Sequence, residues 1–169
     1  PEALDASAEL LAKLGKIRIA ASLAMGIGKD AADAERKRVV PFVGFVSAPQ
    51  DAPSLSGETI KGDTVDLTGR MLSNGQPHRA LPLTVSLCMA VAARIEGSLV
   101  HAVTRPSTDA DTPIRIAMPS GVLVVAASVK NANGAWFAEQ GAFYRTQRRM
   151  FEGQVLVRAS RVRGTTARA

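Results

Sequence analysis

Pro82-Leu83-Thr84-Val85-Ser86-Leu87-Cys88-Met89-Ala90-Val91-Ala92-Ala93-Arg94-Ile95-Glu96 is the stretch on which the fold turns. Pro82 stands where a first-turn proline belongs. The residues after it are apolar on every side of a helix, and charge returns only at Arg94 and Glu96. About 15 residues fall short of the roughly 20 that a bilayer requires. A helix apolar all round must therefore be enclosed by its own protein.

The residues downstream supply a wrapping for it. Ser98 to Thr104, Ile114 to Met118, Val122 to Lys130, Trp136 to Arg145 and Gln154 to Arg158 read as strands. Asn133-Gly134 is a strong hairpin turn between two of them, and Glu152-Gly153 a second turn. No helical pattern separates these strands, which predicts an antiparallel meander. The fold class is α+β: a curved antiparallel sheet wrapped around one central buried helix.

Upstream, Asp5 or Ser7 can cap a helix with apolar positions Leu10, Leu14, Ile17, Ala21 and Ala24, spaced by four and three. It ends at Met25-Gly26-Ile27-Gly28 and is expected to pack outside the wrapped helix. Lys29 to Arg38 reads as a charged loop, and Val39 to Val46 as a buried strand beginning near Pro41. Pro49 to Gly62 is loop. Thr64 to Leu72 is a strand or a helix, and its pattern does not choose between them.

The 169 residues suit one domain, 1–158, followed by a basic tail, 159–169. Hydrophobic residues at 46% and charged residues at 21% exclude a disordered chain. Aromatics are scarce, so a core of Ala and Val needs close backbone approach. The lone Cys88 permits no internal disulfide and fits a cytoplasmic setting. The opening Pro1-Glu2-Ala3-Leu4 has no signal peptide and leads almost directly into a helix, as if the chain began part-way through a longer protein. The net charge of +6 raises nucleic acid as a partner. However, Arg36-Lys37-Arg38, Arg145 to Arg149 and Arg158 to Arg163 do not interleave with an aromatic platform, which argues against it. A modest positive field also suits a small polyanion.

The chemistry concentrates just before the wrapped helix, in Ser73-Asn74-Gly75-Gln76-Pro77-His78-Arg79-Ala80-Leu81-Pro82-Leu83-Thr84. A helix start presents free N–H groups and a positive dipole end, which together favour an anion. Thr84 adds a hydroxyl, His78 and Arg79 lie upstream, and Gly75 lets a ligand approach the backbone. Each residue also has a plainer role open to it. His78 can bond loop carbonyls, Thr84 can serve only the first turn, and Arg79 can face solvent. Cys88, flanked by Leu87 and Met89, reads as a buried inert thiol. His101 reads as structural within its strand. A second candidate is Arg115 and Ala117 on one strand face, leading to the Pro119-Ser120-Gly121 turn, whose plainer reading is a strand connection. There is no HExxH, no paired metal-ligand spacing, no phosphate-binding loop and no dinucleotide fingerprint.

The run Ser73 to Thr84, the apolar helix and Met118-Pro119-Ser120-Gly121 together resemble the PrpF-like isomerases. These include 2-methylaconitate isomerase, 3-methylitaconate delta-isomerase and 4-oxalomesaconate tautomerase. Leu10 to Gly28 and Pro41 to Pro49 extend the resemblance to about residues 8–158. It implies a diaminopimelate-epimerase-like fold of two related domains, of which this chain is the second. It implies a cofactor-independent 1,3-allylic proton shift in an unsaturated tricarboxylic acid of methylaconitate or 4-oxalomesaconate type. The acid/base residues, a Lys and often a Cys, belong in that family to the first domain, so no catalytic residue is expected here. Substrate-carboxylate contacts fall by motif on Ser73, Gly75, His78, Leu83, Thr84 and Ser120.

The sequence departs from the family where Leu83 and Val85 replace small residues, and where Met118 replaces a His. Pro77 to Thr84 leans towards the oxalomesaconate tautomerase branch. The expected partners are a small polycarboxylate, the N-terminal domain of the same protein and, through exposed cleft surface, another copy of the chain. No membrane, metal or cofactor is implied. Two alternatives stand beside this reading. A racemase or epimerase on the same fold would want a Cys where Thr84 stands, and a non-catalytic binding domain would act through the basic tail.

Overall fold

A computed structural model describes residues 2–107, 109, 111–144, 148–154 and 156–158. The proposed basic tail, 159–169, lies outside them. The chain opens with helices α1 (Glu2–Asp5), α2 (Ala8–Ala24) and α3 (Ala31–Arg36), then strands β1 (Val43–Ser47), β2 (Ala52–Pro53) and β3 (Thr59–Ile60). A short turn of helix, Gly62–Thr64, leads into β4 (Leu67–Ser73) and β5 (Gln76–Pro77). Helices α4 (Leu83–Ala93) and α5 (Leu99–Val103) follow, then β6 (Ile114–Met118), β7 (Gly121–Ala132) and β8 (Ala135–Phe143).

The undecided stretch Thr64 to Leu72 is thus mostly strand, and β4 is the central one. Of Leu67 to Leu72, only Arg70 is not buried. The sheet runs β1-β4-β6-β7-β8, with β5 added to the far end of β4. It is mixed and not wholly antiparallel as the strand pattern suggested, although the downstream strands β6, β7 and β8 do form an antiparallel meander. Leu67 pairs with Ile116 and Thr68 with Ala117 in parallel. A parallel pair needs a crossover, and α4 and α5 provide it. The remaining pairs are antiparallel. Asn133 (φ 56°) and Gly134 (φ 83°) make the tight β7–β8 hairpin, with the Gly134 N–H donating to Asn131 Oδ1 at 3.0 Å. Both central residues are left-handed, as that turn type requires.

The core joins Leu67 and Met71 of β4 to Val85, Met89, Ala90 and Ala93 of α4, backed by Ile114, Ile116, Leu123, Val125 and Ala127. Small residues let the layers close. A Cβ on Gly69 would stand 3.2 Å from Met89 Sδ, and one on Gly141 2.9 Å from Leu87 Cδ2. The sheet therefore curls over one side of α4. It does not enclose the helix fully: Thr84 and Cys88, four residues apart, are exposed. Cys88 is correspondingly not the buried thiol its apolar neighbours implied.

Several local expectations also change. Ser98 to Thr104 is not a strand but contains α5, because the Ser98 side chain accepts the His101 N–H at 3.0 Å and caps it. His101 is exposed on that helix. Lys29 to Arg38 contains α3, capped by Asp30 through the Asp33 N–H at 2.7 Å. Arg18 of α2 donates to Ala34 O at 2.9 Å and Lys37 O at 3.1 Å, at the end of α3. That buried arginine turns Leu14, Arg18 and Ser22 inward, while Leu10 and Ile17 of the predicted apolar face are exposed. Strand β1 starts only at Val43, past Pro41. The described residues of Gln154 to Arg158 form no strand; Leu156 is 93% exposed. Glu152 makes no hairpin and pairs with Arg149 at 2.8 Å.

Candidate functional site

The sequence motif occupies the far end of β4. Ser73 pairs with Gln76 and Leu72 with Pro77, so Asn74 (φ 53°) and Gly75 (φ 78°) form a two-residue hairpin. Only glycine takes the second of these angles without strain. The His78 N–H donates to Met71 O at 2.7 Å and extends the ladder by one residue. His78 itself is exposed, and its Nδ1 accepts the Ala80 N–H at 3.3 Å, leaving Nε2 as the ring's outward nitrogen. Arg79 does not simply face solvent, since its Nη2 lies 2.8 Å from the Asp5 carboxylate of α1.

Leu81 is buried, and Pro82 begins α4 with no side-chain cap. The first intrahelical donor is Ser86, whose N–H reaches Pro82 O at 3.0 Å. Helix geometry thus leaves the N–H groups of Leu83, Thr84 and Val85 without intrahelical partners. Leu83 is half-buried and Thr84 exposed. The hydroxyl and the positive helix end together present donors where an anion is favoured.

Ser120 is brought towards this end by register. On one side of β4, β6 pairs with Leu67 and Thr68 while β5 pairs with Leu72 and Ser73. The interval between them is met by the β6–β7 turn, in which Met118 pairs with Gly121 around Pro119 and Ser120. The Leu81 N–H points at Met118 Sδ from 3.2 Å, tying the approach to α4 to that turn. Ser73, Gly75 and His78 therefore share one hairpin, Leu83 and Thr84 the helix start, and exposed Ser120 the adjoining turn. Arg115, the second candidate, points elsewhere: its guanidinium holds Asp66 at 2.9 and 3.1 Å.

Arg70 was not singled out in the sequence. It is half-buried, and its Nη1 donates to Gly69 O at 2.8 Å and to Ala117 O at 3.4 Å. No carboxylate among the described residues pairs with it, and burial pulls its pKa below the ordinary guanidinium value. It sits one residue before Met71, beside the same turn. An arginine inside an otherwise apolar strand was the available signal, but it carried no weight while β4 was undecided between strand and helix.

A groove of about 720 Å³ runs along the open side of α4, between β1 and α5. It is mainly apolar, with Phe42, Phe45, Val100 and Val103 among its walls. Thr84 is the one candidate residue that lines it, together with Cys88. Among the described residues no group of His, Cys, Asp or Glu could hold a metal, and no helix is long and apolar enough to cross a membrane.

The profile of the family described as PrpF protein matches residues 1–158. A 3-methylitaconate isomerase from Eubacterium barkeri is 35% identical over 164 residues, covering 96% of this chain and 42% of the relative. A 2-methyl-aconitate isomerase from Shewanella oneidensis is 34% identical over 147 residues, covering 87% of this chain and 36% of that protein. The crystal structure of a methylitaconate-delta-isomerase superposes with a TM-score of 0.74 at 30% identity, covering 85% of this chain and 39% of the other. The chain spans about two fifths of the length of these relatives. Over the matched length, the chain belongs to the PrpF family of isomerases.

Proposed function

We propose that this chain is the substrate-carboxylate-binding half of a cofactor-independent isomerase that moves a double bond in an unsaturated polycarboxylic acid. A tricarboxylic acid of the methylaconitate or 4-oxalomesaconate type is the first choice. Residues 1–158 act as one diaminopimelate-epimerase-like domain, and the proton-transfer groups reside in the other, N-terminal domain of the same protein. The observation that carries this reading is the uncapped start of α4 with Thr84 exposed, beside the β4–β5 hairpin and the Ser120 turn.

In the reaction a base removes a proton from the carbon next to the double bond. The electron pair of that C–H bond becomes delocalised onto the conjugated carboxylate, and an acid returns a proton at the far carbon. The substrate gains negative charge on oxygen during the first step. Donors fixed in advance at that position stabilise this charge more than the ground state; removing one such donor typically costs about 10²–10³ in rate. The Leu83 and Thr84 amides and the Thr84 hydroxyl take this role. Ser73, the Gly75 backbone, His78 and Ser120 hold the remaining carboxylates. Arg70 supplies the nearby positive charge.

Proton exchange tests the division of labour. In D2O, the isolated chain is expected to leave the allylic protons of 2-methylaconitate, 3-methylitaconate and 4-oxalomesaconate unexchanged. A longer parent carrying both halves is expected to exchange one of them. Exchange catalysed by the isolated chain would place the proton-transfer groups in this domain and overturn the division.

A further inference from the structure

At the opposite end of α4 lies a second cavity of about 660 Å³, lined by Arg94, Arg105, Arg115, His101, Asp66 and Thr104 among others. The 11 residues of α4 separate it from the Thr84 end by about 16 Å at 1.5 Å per residue. Three arginines line it, and two of them have no carboxylate partner within salt-bridge distance among the described residues. Arg94 donates through Nη1 to Asp109 O at 3.5 Å and through Nη2 to Thr112 O, and its Nε is buried with no hydrogen-bond partner. Arg105 donates through Nη2 to Gly62 O at 2.6 Å. Carbonyl bonds fix these side chains, whose charges act on Asp109 and Asp66 from a distance but form no direct ion pair among the described residues.

The acids nearby are already engaged. Asp66 takes the Arg115 side chain at 2.9 and 3.1 Å and the Arg115 N–H at 2.7 Å. The Asp109 carboxylate accepts the Asp111 N–H at 2.9 Å and Thr112 Oγ1 at 3.0 Å. The end of α4, whose carbonyls would oppose an anion, is partly covered, since Ser98 Oγ donates to Ala92 O at 2.6 Å. What is left is a concave site whose lining carries three arginines and one aspartate, Asp66.

We propose that this cavity binds a small dianionic oxyanion, through Arg94 and Arg105, at a site separate from the proposed substrate site. Forked guanidinium donors suit carboxylate and phosphate oxygens alike. The dianion is therefore either a dicarboxylate or a phosphate, and the test separates them.

Amide NMR spectra of the chain would be titrated with succinate and, separately, inorganic phosphate, with chloride at matched ionic strength as control. Expected is saturable movement of the Ala93, His101, Thr104 and Arg115 signals with one probe, identifying the class. Arg94→Met and Arg105→Met should each weaken it at least about tenfold, the order of one lost charge-assisted hydrogen bond. Arg105→Lys, which keeps the charge and guards against misfolding, should weaken it less, and Thr84→Val should leave it unchanged. No saturation with either probe, or binding lost in Thr84→Val and kept in both methionine variants, would overturn the assignment.

Discussion

The Leu81 backbone N–H is aimed at the Met118 thioether sulfur 3.2 Å away, and that contact joins the approach to α4 to the β6–β7 turn. The two lie 37 positions apart in sequence, and the residues around them carry the proposed substrate contacts. Met118→Leu keeps most of the packing volume but leaves the buried Leu81 N–H without an acceptor. Thioether sulfur is a weak acceptor, so the expected loss is only about 1 kcal/mol in urea unfolding. The larger expected effect is a rise in KM of a longer protein carrying both proposed halves, as the Ser120 turn loses its tie to the helix start.

Gly44→Ala tests the closeness of β1 and β4. A Cβ there would drive into the Arg70 carbonyl oxygen and crowd the Met71 thioether. The obstruction is backbone, so the ladder from Val43–Leu72 to Ser47–Thr68 must open. Destabilisation of about 3 kcal/mol or more is expected by denaturant unfolding. A loss under 1 kcal/mol would mean that β1 sits further from β4.

Asp66 predicts an acid-sensitive fold. Its burial pushes the carboxyl pKa up, but the Arg115 hydrogen bonds and the charges of Arg115 and Arg105 outweigh this and hold it below the ordinary value of 3.8. A carboxyl depressed in the folded state stabilises at pH values above the unfolded pKa, and that contribution disappears as pH falls below about 4. Asp66→Asn should therefore cost about 1–2 kcal/mol at pH 7, the ion pair being partly exposed on the Arg115 side. The difference from the parent chain should shrink towards pH 3. Urea midpoints at the two pH values check this.

Thr84→Val removes one hydroxyl and keeps the shape and the helix. In a longer protein carrying both proposed halves, kcat should fall about tenfold or more while the melting temperature hardly moves, because Thr84 is exposed. Binding to nucleic acid through a basic tail would instead weaken steeply with salt and ignore this change.

The apolar run after Pro82 was legible as a helix packed into the core, although one side of it, at Thr84 and Cys88, stays open. The Asn133-Gly134 turn was legible because its two residues have a distinctive backbone preference. The parallel β4–β6 pairing was not. It depends on α4 and α5 forming one crossover, and Leu99-Val100-His101-Ala102-Val103 carries β-branched residues that mimic a strand. The deciding signal was Gly97-Ser98, a glycine stop (φ 83°) followed by a capping serine. The buried face of α2 was misread because Arg18, a charged residue, turns inward to bond the end of α3. Of the candidate site, the helix start at Pro82 to Thr84 was readable, but the β4–β5 hairpin at Asn74-Gly75 was not, because the strand before it was undecided. Arg70 was hidden by the indecision over its strand, and the tie from Leu81 to Met118 is a tertiary contact that no local pattern announces.

The central claim is that the start of α4 and the loops beside it hold the substrate's carboxylates. Amide NMR of this chain titrated with trans-aconitate, at constant ionic strength, tests it most directly. The proposed role predicts saturable shifts concentrated at Ser73 to His78, Leu83 to Ser86 and Ser120, weakened in Thr84→Val. Shifts absent from these residues, or unchanged by Thr84→Val, would contradict it.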